Sequence, residues 1–163
     1  MKKYLATIVL CLVSFHLFAN PQVDNQTIAQ TYFDAYIARD WQTLAQFLHE
    51  DGSFADTTAK PVFGDVSVAG KAETVTYFTK NYASIQEMSF TSSRQWVSGD
   101  VAIFEGVLNW KIDLGDNKIV DTKSMPFITI LELKEGQVLH HRDYADYQPF
   151  LKAHAEMNET KSP

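Results

Sequence analysis

The sequence predicts an α+β domain in which helices pack on one face of a curved antiparallel sheet. Two observations lead to this prediction. Apolar residues recur at helical spacing in the first half of the chain, and long strand patterns separated by short turns follow from Glu87 onward. Helices followed by a strand meander form two packed layers, because each element must bury its apolar side against another.

Three helices are expected in the first half of the chain. In the first helix Ile28, Tyr32 and Tyr36 recur every four positions and form an apolar stripe. The predicted helices span residues 23–38, 40–52 and 71–84. A short strand over residues 53–56 and a loop over residues 57–68 separate the second helix from the third.

Four long strands are expected in the second half of the chain, joined by turns that each contain a glycine. They are predicted over residues 88–97, 101–114, 118–133 and 137–145. Pro126 lies inside the third of these strands. Because proline cannot donate a hydrogen bond to a neighbouring strand, we expect a bulge or a sheet edge there. A last helical turn is expected over residues 149–155.

The first nineteen residues have the pattern of a secretory signal peptide. Lys2 and Lys3 precede an apolar run over residues 4–18, and Ala19 is a small residue at which cleavage can occur. Cleavage there would remove Cys11, the only cysteine, so no disulfide is expected in an oxidising compartment. A retained membrane anchor is the alternative interpretation of the same segment.

The chain is therefore predicted to have three parts: a signal peptide (1–19), one domain (20–152) and a loose C-terminal tail (153–163). We expect a periplasmic or secreted protein. Loss of Lys2 and Lys3 changes the formal net charge from −6 to −8. An acidic chain without a basic run argues against nucleic acid partners and, after cleavage, against a membrane partner. An aromatic content of 13% favours a deep core or an apolar pocket.

The last predicted strand carries the most informative group of residues. Because successive strand residues point to opposite faces, Leu139, His141 and Asp143 share one face, whereas His140 and Arg142 share the other. If the Leu139 face is buried, the strand brings a carboxylate into an apolar interior. Such a carboxylate needs partners, and it can support acid/base chemistry. The alternative is a carboxylate at the solvent-exposed end of a strand.

Four segments together resemble the SnoaL-like group of the NTF2-like superfamily. They are Ala38-Arg39-Asp40-Trp41, Glu50-Asp51-Gly52-Ser53-Phe54-Ala55-Asp56, Val68-Ala69-Gly70 and Arg142-Asp143-Tyr144-Ala145-Asp146. The resemblance covers residues 25–151. It implies a cone in which a curved antiparallel sheet wraps around three N-terminal helices, with an apolar cavity open at one end. The family includes enzymes and non-enzymes, so the fold does not decide whether this chain is an enzyme.

The resemblance also implies roles for single residues. In limonene-epoxide-hydrolase-like and polyketide-cyclase-like members, the aspartate that matches Asp143 is a catalytic acid or base. The hydrolases also use an arginine and an aspartate where this chain has Gly106 and Leu108, which argues against epoxide hydrolysis. In ketosteroid-isomerase-like members, Tyr32 and Asp56 match the oxyanion-binding tyrosine and the base.

The third isomerase position corresponds to Thr129, which cannot act as a carboxylic acid. The remaining residues expected to line the pocket lie mainly on the strands: His141, Trp96, Phe104, Leu108, Trp110, Phe127 and Thr129. For Tyr32, His141 and the tryptophans, a purely structural place in the core is the alternative, and Asp56 can also be a solvated loop carboxylate. No cofactor is implied, and no metal site is expected because His140 and His141 point apart.

Two functional hypotheses follow. The first is an exported domain that binds a small apolar or aromatic molecule and performs isomerase, cyclase or hydratase chemistry, with Asp143 and Asp56 as proton carriers and Tyr32 as hydrogen-bond donor. The second is a ligand-binding or dimerisation module without catalysis. A homodimer through the outer face of the sheet is expected, because Ile128 and Ile130 form an apolar patch there. A C-terminal turn over the patch is the alternative.

Overall fold

The computed structural model of the protein describes residues 24–116 and 118–159, so the predicted signal peptide (1–19) lies outside the described residues. No helix within the described ranges is long and apolar enough to cross a membrane. The elements in chain order are α1 (Asn25–Ala38), α2 (Trp41–Phe47), β1 (Leu48–Asp56), α3 (Lys60–Phe63), β2 (Val66–Ala69), α4 (Lys71–Asn81), β3 (Ile85–Ser98), β4 (Val101–Asp113), β5 (Ile119–Lys134), β6 (Gln137–Ala145) and α5 (Gln148–Glu159).

The strands form one six-stranded sheet in the order β2-β1-β6-β5-β4-β3, and the α+β prediction is confirmed. Neighbouring strands are antiparallel, except that β1 and β6 run parallel. This parallel pair joins the first long strand of the chain to the last one. Its register places Asp56 directly beside Asp143, so two carboxylates from distant parts of the sequence meet on the same face of the sheet.

The junction between α1 and α2 explains the Ala-Arg-Asp-Trp segment. Arg39 ends α1 in a left-handed conformation with φ 59°. Asp40 then caps α2, because its carboxylate accepts hydrogen bonds from the Thr43 backbone N–H at 3.0 Å and from the Thr43 hydroxyl at 2.6 Å. The sharp turn keeps α1 against the inner face of the sheet, where Ile28, Tyr32 and Tyr36 are buried, among other residues.

Two parts of the sequence are more ordered than predicted. The predicted loop over residues 57–68 contains α3 and β2. Pro61 is compatible with α3 because the first turn of a helix needs no N–H donor there. The predicted loose tail (153–163) is wrong for residues 153–159, because α5 continues to Glu159 and both Ala153 and Met157 pack against the core.

The irregularity predicted near Pro126 is a bulge rather than a sheet edge. The pairing of β4 with β5 shifts between Leu108 and Trp110. Opposite this shift, Ser124 has a positive φ of 54°, and its backbone N–H bonds to the Asn109 side chain at 2.8 Å. Pro126 therefore lies in a central strand next to a bulge, where the pairing is already interrupted.

We predict that Gly106→Ala lowers the free energy of unfolding by about 1–3 kcal/mol, because it overpacks a close strand contact. A Cβ at Gly106 would lie 2.1 Å from the Thr91 carbonyl oxygen and 2.7 Å from the Phe90 ring. Urea denaturation measures the change. Lys134→Ala, at an exposed position of β5, is the control and should change stability by less than about 0.5 kcal/mol. Equal stability of the two variants would contradict the prediction.

Candidate functional site

A cavity of about 380 Å³ lies between the inner face of the sheet and helices α1, α3 and α4. Its volume is within the range of small-molecule sites. Within the described ranges, eight aromatic side chains line it: Tyr36, Phe54, Phe63, Tyr77, Tyr82, Trp110, Phe127 and Tyr147. Three carboxylates are also among the lining residues: Asp56, Asp65 and Asp143. The cavity is thus mainly aromatic with a few acidic groups.

Asp143 lies at the inner end of this cavity and is only 1% exposed. One carboxylate oxygen accepts hydrogen bonds from the Thr129 hydroxyl at 2.6 Å and from Nε2 of His141 at 2.9 Å. The other oxygen accepts a bond from the Tyr36 hydroxyl at 2.7 Å. Three donors thus satisfy a buried carboxylate that would be costly without partners.

The position of one proton on His141 follows from its neighbours. An ionised carboxylate can only accept hydrogen bonds, so Nε2 of His141 carries the proton that is donated to Asp143. When the ring is neutral, Nδ1 accepts a bond from the Tyr32 hydroxyl, 3.1 Å away. Burial, with the nearby charge of Asp143, raises the pKa of Tyr32 well above its ordinary value, so the phenol stays protonated. Tyr32 therefore orients the His141 ring from the side that faces away from Asp143.

The hydrogen bond between Tyr36 and Tyr82 also has a defined direction. Their hydroxyl oxygens are 2.7 Å apart. Tyr36 has one hydroxyl proton and donates it to Asp143, so Tyr82 must donate to Tyr36. Burial and the charge of Asp143 raise the pKa of Tyr36 well above its ordinary value. Both phenols are therefore neutral, and the chain of donors runs from Tyr82 through Tyr36 to Asp143.

Asp56 differs from Asp143 because it is only partly buried. Its Oδ1 accepts bonds from the backbone N–H and the hydroxyl of Thr58, both at 3.1 Å, and its Oδ2 accepts a bond from the Tyr147 hydroxyl. Burial raises the pKa of Asp56 and the charge of Asp143 adds to this effect, whereas the bonds from Tyr147 and Thr58 oppose it. Asp56 is thus a titratable carboxylate that a molecule in the cavity can reach.

The structure brings together about half of the residues predicted for the site. Asp56, Asp143, Leu108, Trp110 and Phe127 line the cavity. The other predicted residues, apart from Trp96, are buried behind its wall: Tyr32, Phe104, Thr129 and His141.

Trp96 is not a pocket residue; it is 46% exposed, and the Arg94 guanidinium lies 5.4 Å from the centre of its ring. The reason is a register shift of β3 between Ser92 and Arg94. The shift changes which alternate residues face inward, so Trp96 pairs with Ile103 on the outer face. A bulge of this kind has no clear signal in the sequence.

Three tyrosines of the site were not singled out by the sequence analysis as polar groups. Tyr36 and Tyr82 belong to predicted apolar helix faces, and Tyr147 follows the last strand. The residue type itself was an available signal. Phenylalanine would suffice for packing, so a buried tyrosine indicates a hydroxyl group that has a hydrogen-bond partner. Their partners come from other elements, so the hydrogen bonds themselves could not be read from local pattern.

We predict that Tyr36→Phe lowers the free energy of unfolding by about 1.5–3 kcal/mol, because it removes a hydrogen bond to a buried charged group. Tyr82→Phe removes only a bond between two hydroxyls and should cost about 0.5–1.5 kcal/mol. Chemical denaturation at neutral pH compares the two variants. Equal losses would show that the donor direction from Tyr82 to Tyr36 to Asp143 is wrong.

We also predict opposite pH dependences for Asp56→Asn and Asp40→Asn. In the folded protein the pKa of Asp56 is raised above its ordinary value of 3.8. The parent therefore loses stability as the pH rises from 3.8 through the folded pKa. Asp56→Asn cannot ionise at this position, so it does not show this loss. The bonds from Thr43 lower the pKa of Asp40, so its stabilising effect is lost as pH falls through the folded pKa. As the pH is raised from acidic to neutral, the melting temperature of Asp56→Asn should rise relative to that of the parent, and the melting temperature of Asp40→Asn should fall relative to it. Parallel curves for the two variants would contradict this.

Comparison with known proteins agrees with this geometry. Residues 29–141 match the family model of the SnoaL-like domain. No curated protein matches the sequence significantly. A solved structure described as a SnoaL-like polyketide cyclase from Shewanella putrefaciens CN-32 is 25% identical, with a TM-score of 0.70 over 81% of this chain and 96% of that one.

Two further solved structures share the fold at lower identity. A protein with a ketosteroid isomerase-like fold from Catenulispora acidiphila, in complex with trimethylamine, is 17% identical (TM-score 0.63, 78% of this chain and 92% of that one). A limonene-epoxide-hydrolase-like (LEH-like) epoxide hydrolase from M. tuberculosis is 15% identical (TM-score 0.63, 83% and 92%). The chain belongs to the SnoaL-like family of the NTF2-like fold.

Proposed function

We propose that the protein binds a small, mainly apolar or aromatic molecule in its cavity and acts on it by acid/base chemistry of the isomerase, cyclase or hydratase type. One observation carries this proposal. Asp56 is a partly buried carboxylate with a raised pKa, and it lines a cavity whose other walls are largely aromatic. A titratable group of this kind in a cavity is a candidate general base.

The two carboxylates have different roles in this proposal. Asp143 is 1% exposed and already accepts three hydrogen bonds, so it positions Tyr36, and through it Tyr82, rather than meeting the ligand. Asp56 is the group that exchanges a proton with the ligand. The donor role expected for Tyr32 does not fit its position, because its hydroxyl bonds to His141 behind the wall. Tyr82 lines the cavity, but it donates its hydroxyl proton to Tyr36, so it does not take over this role.

Two reactions known in the family fit this site poorly. The arginine of the epoxide hydrolases would replace Gly106, where even a Cβ lies 2.1 Å from a backbone oxygen of β3. Leu108, at the second position, is buried and apolar. Thr129, at the third isomerase position, donates its proton to Asp143 and does not line the cavity. Neither residue set is complete in this chain.

A ligand-binding protein without catalysis is the second candidate. The observation in its favour is that both carboxylates already have protein donors: Asp143 has three, and Asp56 has Tyr147 and Thr58. A carboxylate held in this way can serve recognition alone.

Export to the periplasm or medium and a homodimer through the outer sheet face remain proposals. Ile128 and Ile130, half-buried on that face, support the dimer.

The test begins with mass spectrometry of small molecules that copurify with the protein, followed by turnover assays on the molecule found. Asp56→Asn should lower the rate by about a hundredfold to ten-thousandfold, as expected for loss of a general base. Asp34→Asn, the same change at an exposed position of α1, is the matched control and should keep the parent rate.

The two candidates give different outcomes. If Asp56→Asn turns the molecule over as fast as the parent, catalysis by Asp56 is wrong. If the parent binds the molecule and leaves it unchanged, the binding protein is the correct candidate. If no molecule copurifies and none binds, the cavity is not a ligand site.

A further inference from the structure

Three of the hydroxyl groups around the cavity, those of Tyr36, Tyr82 and Tyr147, donate their protons to the protein itself. Tyr82 donates to Tyr36, and Tyr36 donates to Asp143. Tyr147 donates to Asp56. A phenol has only one proton, so Tyr82 and Tyr147 can offer a ligand only the lone pairs of their oxygens. Together with the carboxylate of Asp56, these groups place several hydrogen-bond acceptors in the cavity, beside Tyr77, Asn81 and Ser84, whose side chains can donate.

The charged groups that line the cavity are all acidic. Among the described residues, its lining contains no lysine, arginine or histidine. Asp65 is neutralised at the rim by Lys60, with Nζ 2.9 Å from Oδ1. His141 contacts Asp143 but lies behind the wall. Asp56 forms no ion pair with any residue of the described ranges, although buried carboxylates are usually paired.

Aromatic rings complete this arrangement. The faces of phenol, indole and phenyl rings carry negative electrostatic potential, and they attract cations that have lost their water. Eight such side chains surround the cavity, including Tyr77 and Tyr147. A carboxylate without a cationic partner, acceptor oxygens and aromatic walls together match the chemistry of an organic ammonium group.

We propose that the natural ligand carries a positively charged nitrogen on an apolar or aromatic body, and that this nitrogen lies against Asp56 among the aromatic rings. The proposal rests on the binding function proposed above and does not depend on catalysis. A cation beside Asp56 would supply the missing counter-charge and would relieve the unfavourable burial of that carboxylate. A carboxylate or phosphate ligand would instead meet acidic groups and acceptors, so anions should be excluded.

The test compares three probes of nearly the same shape: 2-phenylethylammonium, 2-phenylethanol and phenylacetate. Isothermal titration calorimetry at neutral pH should show the ammonium binding at least about tenfold more tightly than the isosteric alcohol. Phenylacetate should bind most weakly. The alcohol is the critical comparison because it can also donate a hydrogen bond but carries no charge.

Variants locate the effect. Asp56→Asn should abolish the preference for the ammonium over the alcohol. Asp56→Glu keeps the charge and should retain part of the preference, and Asp34→Asn, remote on α1, should retain all of it. The comparison of probes on the parent protein needs no variant, so it remains decisive if Asp56→Asn does not fold.

Each failure has a distinct meaning. If the alcohol binds as tightly as the ammonium, the cationic ligand is wrong while the proposed binding function stands. If the preference persists in Asp56→Asn, Asp56 is not its source and the inference is overturned. If none of the probes binds, the inference is also overturned, and the proposed function is then judged from copurifying molecules alone.

Discussion

The buried charge of Asp143 is the constraint on which this structure depends. A carboxylate that is 1% exposed must find donors inside the protein. They come from three elements: Thr129 on β5, His141 on β6 and Tyr36 on α1. Satisfying one side chain therefore ties the first helix to the last two strands. The position of α1 in turn sets where the cavity wall lies.

Asp143 and His141 are buried, as strand alternation predicted. The reference residue was wrong, because Leu139 is only half-buried and Val138 is the buried residue. The pairing of β6 with β5 shifts between Glu132 and Leu133, so alternation does not run unbroken from Leu139 to His141. The order of α1, α2, α4 and the strands β3 to β6 was predictable, since apolar periodicity is a local property, whereas α3 and β2 were not predicted. The continuation of α5 beyond residue 155 was missed because its contacts are with the rest of the fold. Its residues Ala153 and Met157 gain order by packing against the core.

The details of the site were not predictable for a physical reason. One register shift in β3 places Trp96 on the outer face of the sheet instead of the inner face. A single extra residue in a strand cannot be recognised from the composition of the sequence. The donors Tyr36, Tyr82 and Tyr147 act through partners on other elements. A helical pattern identifies such residues as inward-facing, but only the tertiary structure decides what their hydroxyl groups meet.

The parallel pairing of β1 with β6 has a consequence for how the protein folds. The strands β3 to β6 are joined by short connections, so they can form from contacts close in sequence. Pairing of β1 with β6 instead closes a long loop, and the entropy of loop closure makes such contacts slow to form. We therefore expect Asp56 and Asp143 to come together late in folding, after most of the sheet has formed.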